Sequence, residues 1–296
     1  MPGTPSGAVR SLAEEILSIA RSELPGMDAR IGYVEGDGEE YPTLGNVLTQ
    51  TAADQQAAED RAADLAAVEA AAAAADEGAE GGQAESGAAA AAARQAPKTG
   101  AEERLVALVI PLLAGPDAAG MRQIRQAVLS SGTGAELTDV LGPHPLLAEA
   151  VHVKLSEAGL ARADRARLFT VATAADGIIL ASVGGEEAVQ AAGITGMLLA
   201  ARLAVPVLAA GLDEAGAVAR VAEQLREAGS QQLAVAPCLI GPEVPEGLLD
   251  AAAAEAGCAV AEPLGAYPAV GKLVASTYAA KLGIPQQHSP QGLAAR

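Results

Sequence analysis

Apolar residues along the chain gather in short unbroken runs separated by longer stretches of mixed character. The runs at 105–110 (Leu-Val-Ala-Leu-Val-Ile), 177–183 (Gly-Ile-Ile-Leu-Ala-Ser-Val) and 206–211 lack polar alternation, the pattern of strands buried on both faces. In the second half Gly184-Gly185 makes a turn and Glu186 opens a helix running to about residue 204. After the strand at 206–211 come a helix over 215–228 stopped by Gly229, a strand over 232–236, a helix over 245–255 and a strand over 258–261. A final helix follows Pro268 and reaches Leu282. In the first half a helix starts near Ala8, Ile31-Gly32-Tyr33-Val34 reads as a strand ending at Glu35, and 105–110 is the central strand. Strands alternating with helices predict parallel sheets covered by helices on both faces. The expected fold is α/β, with doubly wound parallel sheets.

The chain also repeats itself. Pro111-Leu112-Leu113-Ala114-Gly115-Pro116-Asp117 recurs as Pro237-Cys238-Leu239-Ile240-Gly241-Pro242-Glu243, an offset of 126. Leu141-Gly142-Pro143-His144-Pro145 recurs as Leu264-Gly265-Ala266-Tyr267-Pro268, an offset of 123. Upstream, the helix from Ala8 resembles the stretch from Ala188 at an offset near 180. The jump between offsets matches the length of the segment 51–100, in which 23 of 50 residues are Ala and the rest are mostly Asp, Glu, Gln and Gly. Residues 51–76 have helix-forming composition without large apolar residues for a packing face, and 78–98 read as disordered. The expected organisation is therefore a first domain at 1–50 plus 101–160, a low-complexity insert at 51–100, a second domain at 168–284 and a disordered tail at 285–296. The two domains should pack about a pseudo-twofold axis. The second copy has a strand before its Gly184 turn, whereas the first begins at Met1-Pro2-Gly3, so the opening strand of the first copy is expected to be missing, with Met1 beside a gap in its sheet.

Composition narrows the function. Asp+Glu number 37 against 19 Lys+Arg, a net charge of −18, and no cluster of basic residues exists to displace counterions from phosphates. Trp is absent and Phe occurs once, which removes base-stacking platforms; nucleic acid is not an expected partner. The longest apolar stretch, 188–212, is broken by Gln190, Arg202 and Pro206 and reads as helix then strand, so no membrane span is expected. Two isolated cysteines, Cys238 and Cys258, and the lack of a basic-then-apolar leader fit a reducing, cytoplasmic setting.

Parallel α/β sheets bind ligands beyond the carboxyl ends of their strands. That selects loops 2–6, 34–41, 114–117 and 142–145. Ser6 is a good helix N-cap in a Gly/Pro-shaped loop with Thr4, where an anion could sit; a plain helix start accounts for it equally. Glu35, at a strand tip, could bind a divalent metal or take a proton, although the following Asp37, Glu39 and Glu40 also fit a solvated acidic loop. Gly115 and Asp117 follow the central strand. Of the three histidines, His288 lies in the tail, His152 sits within a helix, and His144 lies between prolines at a strand end, open to metal or proton work or to a structural part. No Walker A, GxGxxG, GxSxG or HExxH motif occurs.

A duplicated small α/β domain with a strand ending in Glu35 and the turn 141–145 (Leu-Gly-Pro-His-Pro) resembles the sirohydrochlorin chelatases, the class II tetrapyrrole chelatases, in their two-domain form. The resemblance covers all but the insert and is closest to actinobacterial members through 141–150 (LGPHPLLAEA), 167–181 (RLFTVATAADGIILA) and the 32–36 and 41–44 stretches. It implies insertion of cobalt or ferrous iron into a tetrapyrrole for cobalamin or siroheme synthesis, with the metal as substrate and no organic cofactor. It implies Glu35 as ligand or base with Asp117 assisting, Ser6, Thr4 and Gly115 lining the ligand site, and His144 as a further metal ligand. The chain departs from the family in two loops: 2–6 has no His, and Gly115 is followed by Pro116-Asp117 rather than by His. A tetrapyrrole or metal-binding relative without catalysis is the alternative, and an interaction protein tethered by the insert is a third reading. A homo-oligomer is possible under each.

Overall fold

The computed structural model describes residues 1, 3–77, 107–161, 175–241, 243, 245 and 247–285, the side chains of 72–77 excepted. The expected disorder at 78–98, residues 105–106 of the central run, 167–174 and the tail with His288 lie outside the described residues.

The chain forms α1 (Gly7–Glu23), α2 (Leu44–Glu77), β1 (Leu108–Val109), α3 (Ala118–Ser131), β2 (Glu136–Leu137), α4 (Pro145–Glu157), β3 (Gly177–Ser182), α5 (Gly185–Leu203), β4 (Val207–Gly211), α6 (Ala217–Glu227), β5 (Leu233–Pro237), α7 (Leu248–Ala256), β6 (Ala259–Val260) and α8 (Pro268–Lys281). Both sheets are parallel: β1 beside β2, and β4-β3-β5-β6 in that order. This is the expected mixed α/β architecture.

β3 owes its central place to its composition. All six of its residues are buried, and it pairs on one side with β4 (Ile179 opposite Leu208) and on the other with β5 (Ile179 opposite Val235). Ile178 and Leu180 point into one apolar layer, Ile179 and Ala181 into the other, the two-residue alternation of a pleated strand. The second layer is closed by α6 and α7 through Val218, Leu225 and Ala253. The first is common to both halves of the chain, since Ile16 of α1, Leu147 and Val151 of α4, Leu199 of α5 and Val270 of α8 share one cluster with Ile178 and Leu180.

α1 shows how the sequence builds that shared layer. Ser6 caps it, its Oγ accepting from the Val9 amide at 3.3 Å, and Val9, Ala13, Ile16 and Ala20 recur at helical spacing as its buried face. Small residues let α1 approach α8 closely: a Cβ on Gly271 would lie 2.6 Å from Ile19 Cβ and 3.1 Å from the Ile16 carbonyl oxygen.

The first sheet departs from expectation. Residues 31–34 form no strand; Tyr33 makes an isolated bridge to Thr43, and among the described residues the only other ladder contact there is with Met1. The Met1 amine donates to the Gly32 carbonyl at 2.6 Å, and the Val34 amide donates to the Met1 carbonyl at 3.2 Å. A segment holds strand geometry through its neighbours, and among the described residues this one has only Met1 and the bridge to Thr43 beside it. α2 also differs: it starts at Leu44, ahead of the expected insert boundary, and continues through the Ala-rich stretch. Its first turns supply Leu44 and Leu48 to a cluster with Leu113, Ile124 and Val128, whereas residues 58–71 are exposed throughout. The helix is anchored at one end and then runs on its Ala-rich helix propensity.

Candidate functional site

Four loops leave the same edge of the first sheet. The bonds from Met1 to Gly32 and Val34 set residues 3–6 beside Glu35, and the Leu141 amide, donating to the Leu113 carbonyl at 3.0 Å, sets residues 142–144 beside Ala114. Gly142 lies so close to the Ala114 carbonyl oxygen that a side chain there would collide with it.

Each candidate residue has a defined local role. Asp117 caps α3, its Oδ1 accepting from the Ala119 amide at 3.0 Å. His144 caps α4, its Nδ1 accepting from the Leu146 amide at 3.1 Å. Partial burial holds the His144 imidazole below its ordinary pKa, which keeps it in the neutral form that can accept this bond. Ser6 is spent on its cap, and Thr4 and Glu35 are exposed. Beyond Glu35 the acidic loop folds back on itself: Gly36 abuts the backbone of Tyr41–Thr43, and the Tyr33 and Tyr41 rings meet edge to face at 5.4 Å.

The carboxyl ends of the two sheets meet in a cleft. Gly115 and Asp117 line it from the first half, and Ser182, Cys238 and Glu243 from the second. Gly184 makes the approach possible, because a Cβ there would lie 3.0 Å from Asp117 Cα. Glu35, His144, Ser6 and Thr4 are not among the residues lining this cleft. Among the described residues, no three of His, Cys, Asp or Glu come together in a metal-binding group. The enclosed space is about 10 Å³, room for one water-sized particle.

Glu243 is the residue that motif reading passed over. Its carboxylate accepts from the Ile240 and Gly241 amides at 2.9 and 2.7 Å, yet burial outweighs these bonds and pushes its pKa up to about 7. The neighbouring Cys238 thiol is pushed up to about 12 by burial and the Glu243 charge, which leaves it inert as a nucleophile. The Ser182 hydroxyl is buried with no hydrogen-bond partner among the described residues. The signal for Glu243 was present in the repeat, where Pro242-Glu243 stands opposite Pro116-Asp117.

The raised pKa has a measurable consequence. The native state holds the Glu243 proton between pH 4.5, the ordinary value, and about 7, so its contribution to stability is full below pH 4.5 and is lost as pH rises to 7. At about 1.4 kcal/mol per unit the loss is at most roughly 3–4 kcal/mol. The Met1 amine, lowered to about 6 by burial, acts in the opposite sense, adding stability from pH 6 to 8. Glu243→Gln should therefore unfold at higher urea than the parent at pH 8, with the difference vanishing near pH 4; a difference constant across that range would remove Glu243 as its source.

No family profile matches the chain, and no curated protein sequence matches it. Solved structures do. The sirohydrochlorin chelatase SirB from Bacillus subtilis subspecies spizizenii, in complex with cobalt, aligns over 92% of this chain and 88% of its own with a TM-score of 0.51 at 12% identity. SirB from Bacillus subtilis with Fe3+ aligns over 96% of both chains with a TM-score of 0.56, also at 12% identity. The parallel sheets and their helical layers thus follow a known plan: the chain has a class II chelatase-like α/β fold.

Proposed function

We propose that the chain is a tetrapyrrole metal chelatase of the sirohydrochlorin type, inserting cobalt or ferrous iron as substrate. The observation that carries this reading is the fold likeness over nearly the whole chain, together with a carboxylate of near-neutral pKa at the cleft where the carboxyl edges meet. Metal insertion displaces two pyrrole N–H protons, so the reaction needs a base that is unprotonated at working pH and positioned at the macrocycle. Asp117 and Glu243 border the cleft that the ring would cover; Glu35, on the acidic loop at the same edge, has the free carboxylate to hold the incoming ion or take a proton. Oxygen ligands grip such ions less tightly than imidazoles, which suits delivery rather than storage. The reading includes a cytoplasmic setting and a product that feeds cobalamin or siroheme synthesis.

A second reading, a tetrapyrrole-binding relative without catalysis, is favoured by one feature: Asp117 and His144 each spend an acceptor on a helix cap. Absorbance of sirohydrochlorin titrated with Co²⁺ or Fe²⁺ separates the two. The chelatase reading expects insertion faster than in buffer, slowed about 10²-fold or more in Glu35→Ala and in Glu243→Gln, the range for loss of an acid–base group. Binding of the ring without faster insertion would establish the second reading, and absence of binding would leave only the fold in common.

A further inference from the structure

The sheet β4-β3-β5-β6 ends at β4, which carries none of the devices that keep an outer strand from pairing. It has no charged residue, and it matches β3 residue for residue from Val207 to Gly211 without a bulge. Its backbone bonds fix which groups face outwards. The Ile178 amide donates to the Pro206 carbonyl and the Leu212 amide to the Ser182 carbonyl, so the even-numbered residues turn towards β3. Backbone groups alternate sides along a strand, so Val207, Ala209 and Gly211 turn theirs outwards. Pro206 leaves that outer edge unblocked, because it belongs to the inward set.

α5 lies over the same edge. A Cβ on Gly196 would lie 3.3 Å from Val207 Cγ1 and 3.8 Å from Leu180 Cδ2, and one on Gly211 would lie 3.3 Å from Val189 Cγ2. The helix therefore sits astride β3 and β4, with Val189 above Gly211, Gly196 above Val207 and Gly193 near Ala209. Its flank on the β4 side is Val189, Gly193, Met197 and Ala200, at helical spacing. Met197 is 66% exposed, and a Cβ on Gly193 would meet no described atom within 4 Å. On a chain of net charge −18, copies repel wherever acidic faces meet. Here residues 188–201 and 203–212 carry no charge at all.

We propose that a second copy of the chain docks on this edge, β4 pairing antiparallel with its counterpart about a twofold axis at Ala209. Val207 then exchanges backbone bonds with the partner's Gly211, and Ala209 with the partner's Ala209, a pairing that is the same from either side. Strands about 4.8 Å apart put each α5, astride its two strands, about 4.8 Å from the axis. The two helices are then about 10 Å apart, the spacing of packed helices. The same axis sets Gly193 against the partner's Gly193 and Val189 against the partner's Met197. On the other face Leu208, 39% exposed, comes beside the partner's Ala210, and Asp213 falls opposite the partner's Val205 rather than another acid. One strand and one helix flank make a contact at the small end of specific interfaces, which sets a dissociation constant in the micromolar range. This inference does not depend on the chelatase reading, because it concerns the outer edge and not the cleft.

The test is sedimentation velocity on the full chain from about 1 to 200 µM. The expected result is a reversible dimer that Met197→Glu weakens about tenfold or more and that Leu129→Glu, exposed on α3, leaves unchanged. Gly193→Cys tests the register, because facing residues of helices so spaced have Cα atoms about 5–6 Å apart, within disulfide reach. Mild oxidation should link that variant into dimers through residue 193, and should not link the parent through Cys238 or Cys258. A parent that stays monomeric over the whole range would overturn the proposal, as would a dimer indifferent to Met197→Glu or one that residue 193 fails to link. Amide exchange supplies a measurement that needs no variant. Protection at Val207, Ala209 and Gly211 should rise with concentration; full protection in the monomer would mean that the chain covers this edge itself, and would equally overturn the proposal.

Discussion

Leu180→Ala should lower the unfolding free energy by about 2–5 kcal/mol, measured as a shift of the urea midpoint followed by far-ultraviolet circular dichroism. Leu180 is fully buried in the middle of β3, in the cluster to which both halves of the chain contribute. Ladders on either side hold its backbone, pairing it with Ala209 and Ala236, so the strand cannot move into the space a truncation leaves. The cost therefore includes the cavity as well as the lost transfer energy. Leu129→Ala is the matched control, because that side chain is 70% exposed on α3 and should shift stability by no more than about 0.5 kcal/mol. Similar values for the two variants would contradict the placement of β3 at the centre.

Gly271→Val should cost about 1–3 kcal/mol or more by a different route. The added carbons would collide with Ile19 and with the Ile16 carbonyl oxygen, neither of which is the loose end of a side chain. The two helices can answer only by separating, which withdraws the buried face of α1 from the common cluster. Intrinsic helix propensity works the other way, since Val outranks Gly in a helix interior, so a stabilised variant would show that α1 and α8 do not touch as described. Differential scanning calorimetry gives the sign directly.

The second half was legible in the sequence almost element by element because its signals are local. Gly184, Gly216, Gly229 and Gly257 all have positive φ where helices begin or end. The run 177–183 is apolar at five consecutive positions from Gly177 to Ala181, without the alternation that would turn one face to solvent, which fixes its burial before any partner is known. The first half was harder to read for a physical reason. Whether Ile31-Gly32-Tyr33-Val34 becomes a strand is decided by what lies beside it, and among the described residues only Met1 and Thr43 do. α2 was misjudged at its start, since Leu44 and Leu48 gain their meaning only from Leu113 and Ile124, which are distant in sequence.

The candidate site divides along the same line. Loops at the carboxyl edge were predictable from the topology alone, and Gly115 and Asp117 do line the cleft. Spacing could not foresee that Asp117 and His144 would cap helices, a role set by where α3 and α4 begin. Nor could it foresee that Glu243, chemically ordinary in the sequence, would be raised towards neutrality by the depth of its own turn. Desolvation is a property of the assembled molecule.

The meeting of α1 with α8 also has a meaning in time. Ile19 and Gly271, which touch in the folded chain, are 252 positions apart. On a ribosome adding about 5–20 residues per second, α1 is made first and its proper surface follows on the order of ten seconds or more later. Throughout that interval Val9, Ala13, Ile16 and Ala20 form an apolar stripe without its final cover. The N-terminal helix must therefore remain soluble as a nascent element, and the charged residues Arg10, Glu14, Glu15 and Arg21 that alternate with the stripe serve this waiting state as much as the finished fold.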